Sequence, residues 1–485
     1  MLFNSLEFLL FLPIVFFIYW FVLKKDYRKQ NAFILLMSYV FYAWWDERFL
    51  LLLIFSTALD FFSGLMIANA ISQVKKKFWL VLSIGINLGF LGFFKYYNFF
   101  VDSLKVALDS SHIHVDTWTL SIVLPVGISF YTFHGLSYVI DIYYKRINPC
   151  RNWINYSVFV SYFPLLVAGP IERATHLLPQ IEKPRLFNPK QAMSGFKLML
   201  WGFFKKIVIA DNLAPSVNEI FTQYQSYSGS VLLLGAFLFA IQIYGDFSGY
   251  SDIARGISRF FGMELLLNFN FPYFSRNIAE FWRRWHISLS GWFRDYLYIP
   301  LGGSRNGTIL NIRNVFIIFL VSGFWHGANW TFIAWGLIHA LLFLPNFLLN
   351  KHKKDARNLP VNAFLIPSII DVLRILLTFC LVVLAWVFFR APSISVAIQF
   401  IGGIFQPSVF EPIGGFLNPY DNQSLLKEFV MVAIMFLAEY VYYVMPKKVF
   451  LQTFLFECVY SIIMIILIVL NIPIHSSNSF IYFQF

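Results

Sequence analysis

The sequence predicts an all-α, polytopic membrane protein. Three observations carry this. Apolar residues make up 59% of the 485, and charged residues 13%. A soluble domain holds about 25% charged residues, and the mean hydropathy here is +0.66. The apolar runs are long and unbroken, where a membrane β-barrel shows short alternating segments. Aromatics are abundant (59 Phe, 25 Tyr and 14 Trp), as lipid contact and interfacial belts require. Disorder, collagen, a disulfide scaffold and an ordinary cytosolic enzyme are excluded. The net charge of +12 reads as basic loops meeting anionic head groups of the lipid bilayer, not as nucleic-acid binding. Cys150, Cys380 and Cys458 are odd in number and widely spaced, with no disulfide framework and no metal-ligand pattern.

Candidate membrane segments run over 6–24, 31–45, 48–69, 78–100, 119–142, 153–169, 193–210, 229–246, 252–268, 309–327, 329–349, 367–389, 427–445 and 450–472. A helix needs about 20 residues to cross a bilayer. Several segments fall short, so about eleven true spans are expected, with the rest re-entrant or buried. Leu6–Leu23 lacks a basic leader and a small-residue cleavage site, and reads as a retained first span. Lys24, Lys25, Arg28 and Lys29, then Lys75–Lys77, then Lys145, Arg146 and Arg151 follow alternate spans, which puts the N-terminus outside. After residue 170 the alternation breaks, and Lys205 and Lys206 fall inside an apolar segment. Irregular backbone at membrane depth is tolerated where it is buried in protein or lines a cavity, so the central third is the expected functional region. The whole chain, 1–485, reads as one transmembrane domain. Its core motif region lies at about 120–350, and C-terminal helices and a tail occupy 360–485.

Three polar clusters interrupt the apolar sequence, and each is a candidate site because polar groups in a membrane are expensive. In the first, Gln242, Asp246 and Tyr250 share one helix face at i, i+4 and i+8. Ser248 and Asp252 lie beside them, and Gly245 and Gly249 permit a close approach or a break. The cluster reads either as the polar wall of a tunnel or as acids paired with arginines that hold the bundle. The second, Phe281–Arg305, sets Trp282, Trp285 and Trp292 beside Arg283, Arg284, His286, Arg294 and Asp295. It reads as an interfacial or re-entrant helix, either a site or a surface anchor. The third, Ser322–Trp330, holds Trp325 and His326 near a turn between two charge-free spans. A lone histidine there is more often structural. His339, 13 residues on, would face away from His326 along a continuous helix. No P-loop, dinucleotide fingerprint, nucleophile elbow or H-E-x-x-H is present.

Together, Tyr244–Asp252 (YGDFSGYSD), Phe281–Ser290 (FWRRWHISLS) and Gly323–Gly327 (GFWHG), with Leu166–Glu172 (LVAGPIE) and the opening MLFNS, resemble the membrane-bound O-acyltransferase (MBOAT) family. The resemblance is closest to its bacterial alginate O-acetyltransferase branch. It implies a ring of helices around a central tunnel, and acyl transfer from a cytoplasmic thioester toward an extracytoplasmic hydroxyl. It implies that His326, in the Trp-His-Gly motif, is catalytic and that His286 is its upstream partner. Acetyl-CoA is the implied donor, with no further cofactor. The implied acceptor is an exported polysaccharide, reached through a secreted or membrane-anchored acetyltransferase partner in the bacterial inner membrane. An alcohol is not ionised at neutral pH, and a histidine can take its proton as attack proceeds. The oxyanion donor is not identified, and His286 either supplies it or orients His326. The aromatic stretch Phe480–Phe485 is similar to tails of this branch, and Tyr482 reads either as a tethered acyl carrier or as an interfacial anchor. The rival functions are D-alanyl transfer to teichoic acid, a transporter, and an export scaffold.

Overall fold

The structure, a computed structural model, describes residues 1–24, 26–116, 119–167, 169–305, 307–349, 367–413, 425–445 and 454–472. Their regular structure is helical. They fall into two units, one of residues 1–199 with 253–266, the other of 200–252 with 267–485.

The first unit begins with α1 (Leu6–Phe17), capped by Ser5, whose side chain accepts from the Phe8 N–H. A π-helical turn follows at Ile18–Val22. Then come α2 (Tyr27–Ala43), α3 (Arg48–Asn69), α4 (Gln73–Leu91), α5 (Tyr97–Asp109), α6 (Ile128–Tyr143), α7 (Trp153–Ser161), α8 (Phe163–Leu166), α9 (Ala174–Ile181) and α10 (Pro189–Phe203), whose last four residues belong to the second unit. Helices α3, α4 and α6 pack on one another. The contact of α3 with α4 is fixed by a buried polar clasp, in which Asp60 accepts from Ser83 Oγ at 2.6 Å and Asn87 Nδ2 at 2.8 Å. A carboxyl taken out of water needs such donors. Two expected spans are shorter than predicted. The segment 119–142 is helical only from Ile128, and 153–169 breaks at Tyr162, where ψ turns to 114°.

The second unit holds α11 (Asn212–Thr222), α12 (Gly229–Phe260), α13 (Ile278–Arg284), α14 (Ile287–Phe293), α15 (Thr308–His326), α16 (Trp330–Leu348), α17 (Ile369–Arg390), α18 (Ile394–Ile404), α19 (Leu426–Val444) and α20 (Phe454–Leu470). Helix α12 contributes its residues to Asp252 here, and its last turns to the first unit. It is one helix of 32 residues, where the sequence suggests two spans, 229–246 and 252–268. Gly249 permits close approach and not a break. A Cβ there would stand 2.7 Å from the Gly202 carbonyl oxygen and 3.0 Å from the Lys206 nitrogen. The two acids of the cluster, Asp246 and Asp252, are paired by lysines of the neighbouring segment, and the helix runs through. Helices α15 and α16 form a hairpin, against which α13 and α17 pack.

Six described helical stretches are long and apolar enough to cross a membrane, compared with the eleven expected: Arg48–Asn69, Gln73–Asp109 (α4 and α5 joined by a π-helical turn at Gly92–Tyr96), Gly229–Phe260, Thr308–His326, Trp330–Leu348 and Ile369–Arg390. The shorter apolar helices Leu6–Val22, Ile394–Ile404 and Glu457–Leu470 accompany them. At 1.5 Å per residue, 22 residues extend about 33 Å, enough for a hydrocarbon core of about 30 Å.

Candidate active site

His326 is the last residue of α15. The chain then turns extended at Gly327, and Asn329 caps α16 by accepting from the Thr331 N–H at 3.0 Å. The two helices cross at glycines. A Cβ on Gly323 would lie 2.2 Å from the Phe332 carbonyl oxygen, and one on Gly336 would lie 2.3 Å from that of Phe319. Only hydrogen side chains allow this approach, and it sets the α15 terminus against aromatic residues of α16 and α17. His326 is buried. Its ring lies 5.0 Å from Trp325, 5.1 Å from Trp335 and 5.3 Å from Phe389, centroid to centroid.

His286 sits in the bend between α13 and α14. Its backbone is left-handed, at φ 45° and ψ 53°, a conformation costing about 1–3 kcal/mol and found where surrounding structure enforces it. The enforcing contacts come from Asn268. Its carbonyl oxygen accepts from the Ile287 N–H at 2.9 Å, and its side-chain oxygen lies 3.0 Å from His286 Nδ1. The His286 ring is fully buried. Phe247 of α12 meets it edge-on at 4.7 Å, and burial pushes its pKa below the usual histidine value, so the ring is neutral. The His286 and His326 rings are neighbours, 6.4 Å apart between centroids. Ring nitrogens lie little more than an ångström from their centroid, so this separation is too wide for a direct hydrogen bond.

The structure divides the remaining candidates. Trp325 joins the pair, 6.0 Å from His286. Trp285 is fully buried against Phe269 and Trp386, each 5.0 Å away, so it is a core residue and not a surface anchor. Asp246 and Asp252 do pair with cations, but these are lysines, where arginines were expected. Lys205 Nζ lies 2.6 Å from Asp252, and Lys206 Nζ lies 2.7 Å from Asp246 and 2.9 Å from Asp211. The two lysines inside the apolar segment are thus counterions of α12. Gln242 is half-buried, and Ser248 and Tyr250 are buried on the same helix. Arg294 and Asp295 pair with each other at 2.7 Å, with Arg294 largely exposed. Tyr482 lies outside the described residues.

His339 shares a neighbour with His326. The hairpin folds α16 back, and His339 meets Trp335 edge-on at 4.9 Å, the ring that also meets His326. Its Nδ1 accepts from Trp282 Nε1 at 3.2 Å. Sequence reasoning passed over Asn268 and Trp335. An asparagine in the apolar run 265–271, which also holds Asn270, was the available signal for the first. Nothing distinguishes Trp335 in sequence from the other thirteen tryptophans.

Two buried histidines on an apolar multi-helix scaffold fit transfer chemistry shielded from water, and comparison with known proteins gives the class. The family model described as MBOAT, membrane-bound O-acyltransferase family, matches residues 151–390, a stretch that includes both histidines. A probable alginate O-acetylase of Pseudomonas aeruginosa is 42% identical over 399 residues, 82% of this chain and 73% of that protein. The peptidoglycan O-acetyltransferase of Helicobacter pylori is 37% identical, over 83% of this chain and 80% of that one. The teichoic acid D-alanyltransferase of Bacillus subtilis is 29% identical, over 52% of this chain and 65% of that one. The chain belongs to the membrane-bound O-acyltransferase family. It is a multi-pass membrane acyltransferase.

Proposed function

We propose that this acyltransferase moves an acetyl group from acetyl-CoA, on the cytoplasmic side of a bacterial inner membrane, toward hydroxyls of an exported cell-surface polysaccharide. The observation that carries the reading is the buried His286–His326 pair, 6.4 Å apart, within the segment matching the family. His326 takes the proton of the attacking hydroxyl as the new C–O bond forms. The tetrahedral intermediate then collapses, the C–S bond breaks, and the proton passes to the departing thiolate. A histidine suits this because its ordinary pKa lies near the operating pH. The aromatic wall of Trp325, Trp335 and Phe389 keeps out water that would hydrolyse the thioester. A partner acetyltransferase outside the membrane completes delivery to the glycan.

The test is acetyl transfer from radiolabelled acetyl-CoA by the full chain in proteoliposomes. His326→Ala is expected to lower the rate by roughly 10²- to 10⁴-fold, the usual worth of a general base. An alanine variant that inserts normally and transfers at the wild-type rate would end the reading. D-alanyl transfer from a carrier protein is the second reading, favoured by the Bacillus relative. Its signature is inactivity with acetyl-CoA and activity with a D-alanyl thioester.

A further inference from the structure

The hydrogen bonds around Asn268 fix which ring nitrogen of His286 carries the proton. Asn268 is fully buried, and its two side-chain ends have different company. Its Nδ2 donates to Ser251 Oγ at 3.1 Å. Its Oδ1 receives three groups: the Ser288 hydroxyl at 2.8 Å, the Ser288 backbone N–H at 3.4 Å and His286 Nδ1 at 3.0 Å. The hydroxyls serve as donor or acceptor alike. The backbone N–H is an obligate donor, so the end of the amide that faces it is the oxygen. A flipped amide would set two donors against each other. An amide oxygen only accepts, so His286 Nδ1 bears the hydrogen. A neutral imidazole has one N–H, so Nε2 holds the lone pair. Nε2 is buried with no hydrogen-bond partner among the described residues.

We propose that Asn268 is a positioning residue that locks His286 in its Nδ1–H form, so that Nε2 serves as a hydrogen-bond acceptor for the incoming hydroxyl. This excludes His286 in its resting form as donor to the oxyanion, one of the two roles open to it. It gives the pair a division of labour in sequence: the one hydrogen of the hydroxyl is shared with His286 Nε2 as the hydroxyl docks, then turns to His326, which takes it as the C–O bond forms and leaves Nε2 unprotonated. The inference rests on the acyl-transfer reading for that second half. The tautomer stands on the hydrogen bonds and on the burial that keeps the ring neutral.

Ring ¹⁵N spectroscopy on the full chain in lipid bilayers tests it without turnover. Trp-His dipeptides occur only at 285–286 and 325–326. Pairwise labelling of tryptophan carbonyl carbon and histidine nitrogen therefore isolates these two rings in the unaltered protein. One is expected to be neutral with its proton on Nδ1. Asn268→Leu is expected to move that ring to the Nε2–H form and to lower the transfer rate roughly 10-fold or more, as loss of an orienting partner does. Asn268→Asp, which keeps an acceptor toward Nδ1, is expected to hold the tautomer and restore most of the rate. Both rings with the proton on Nε2 in the wild type would overturn the proposal. So would equal loss of rate in the Leu and Asp variants with the ring signals unmoved, since that is the mark of a purely structural asparagine. Should His326→Ala retain full transfer, the acyl-transfer reading fails separately, and the ring spectrum still decides the tautomer.

Discussion

The indole of Trp335 stands perpendicular to the His326 imidazole, with ring centroids 5.1 Å apart and planes at 90°. Trp335 itself is fully buried and stacks on Trp386 at 5.5 Å. It is therefore the wall that holds the imidazole in one orientation. Trp335→Ala is expected to cost about 3–5 kcal/mol through the cavity it leaves and to lower acyl transfer sharply. Trp335→Phe keeps a perpendicular ring and is expected to retain more of both. Thermal unfolding and acyl transfer in detergent or lipid measure this. An alanine variant with unchanged activity would show that the wall is not needed.

Lys206 lies between two carboxylates, Asp246 and Asp211, with little exposure on any of the three. Removing the cation leaves two buried acids facing each other. Lys206→Met is expected to destabilise by about 3–5 kcal/mol. Asp246→Asn is expected to cost less, because Lys206 keeps Asp211. Denaturation midpoints of the two variants decide it, and equal losses would contradict the shared-cation account.

The crossing of α15 and α16 leaves no room at Gly323. Gly323→Ala must push the Phe332 carbonyl from a 2.2 Å contact, and overpacking of this kind costs about 1–3 kcal/mol. The displaced element carries His326 on the next turn, so transfer is expected to fall further than stability. A conservative alanine that left the rate intact would mean that the hairpin adjusts without moving the histidine.

His339 touches the same tryptophan as His326 but has a structural duty, as the acceptor for the Trp282 indole N–H. His339→Leu leaves that donor buried and unpaired, at about 1–3 kcal/mol. His339→Gln keeps an acceptor and is expected to be milder. Transfer per folded molecule is expected to change less than stability in both. Loss of turnover in a stably folded His339→Gln would move this residue into the chemistry.

Much of the membrane class was legible because bilayer insertion is a property of composition and run length, which need no partner. The motifs around His286 and His326 were legible for a related reason. A polar side chain in an apolar run is costly wherever the chain folds, so its presence alone marks a position. The paired candidates were less so. Asp246 and Asp252 read as acids in want of counterions, but the sequence could not say that Lys205 and Lys206, some 40 residues earlier, supply them. It therefore split α12 into two spans. Arg294 and Asp295 share the motif of His286 yet pair with each other, because adjacent opposite charges find the nearest partner.

By itself, then, the amino-acid order determined that this is a helical membrane protein, and its motifs singled out two imidazoles through the family they resemble. Tertiary packing decided that those imidazoles are neighbours, that Trp335 touches both His326 and His339, and that Asn268 reaches His286 across a left-handed bend. The physical reason is one of range. Burial and helix formation follow from local residue types. The distance between two rings 40 residues apart depends on where helices cross, and here that is set by contacts as short as Gly323 against the Phe332 carbonyl.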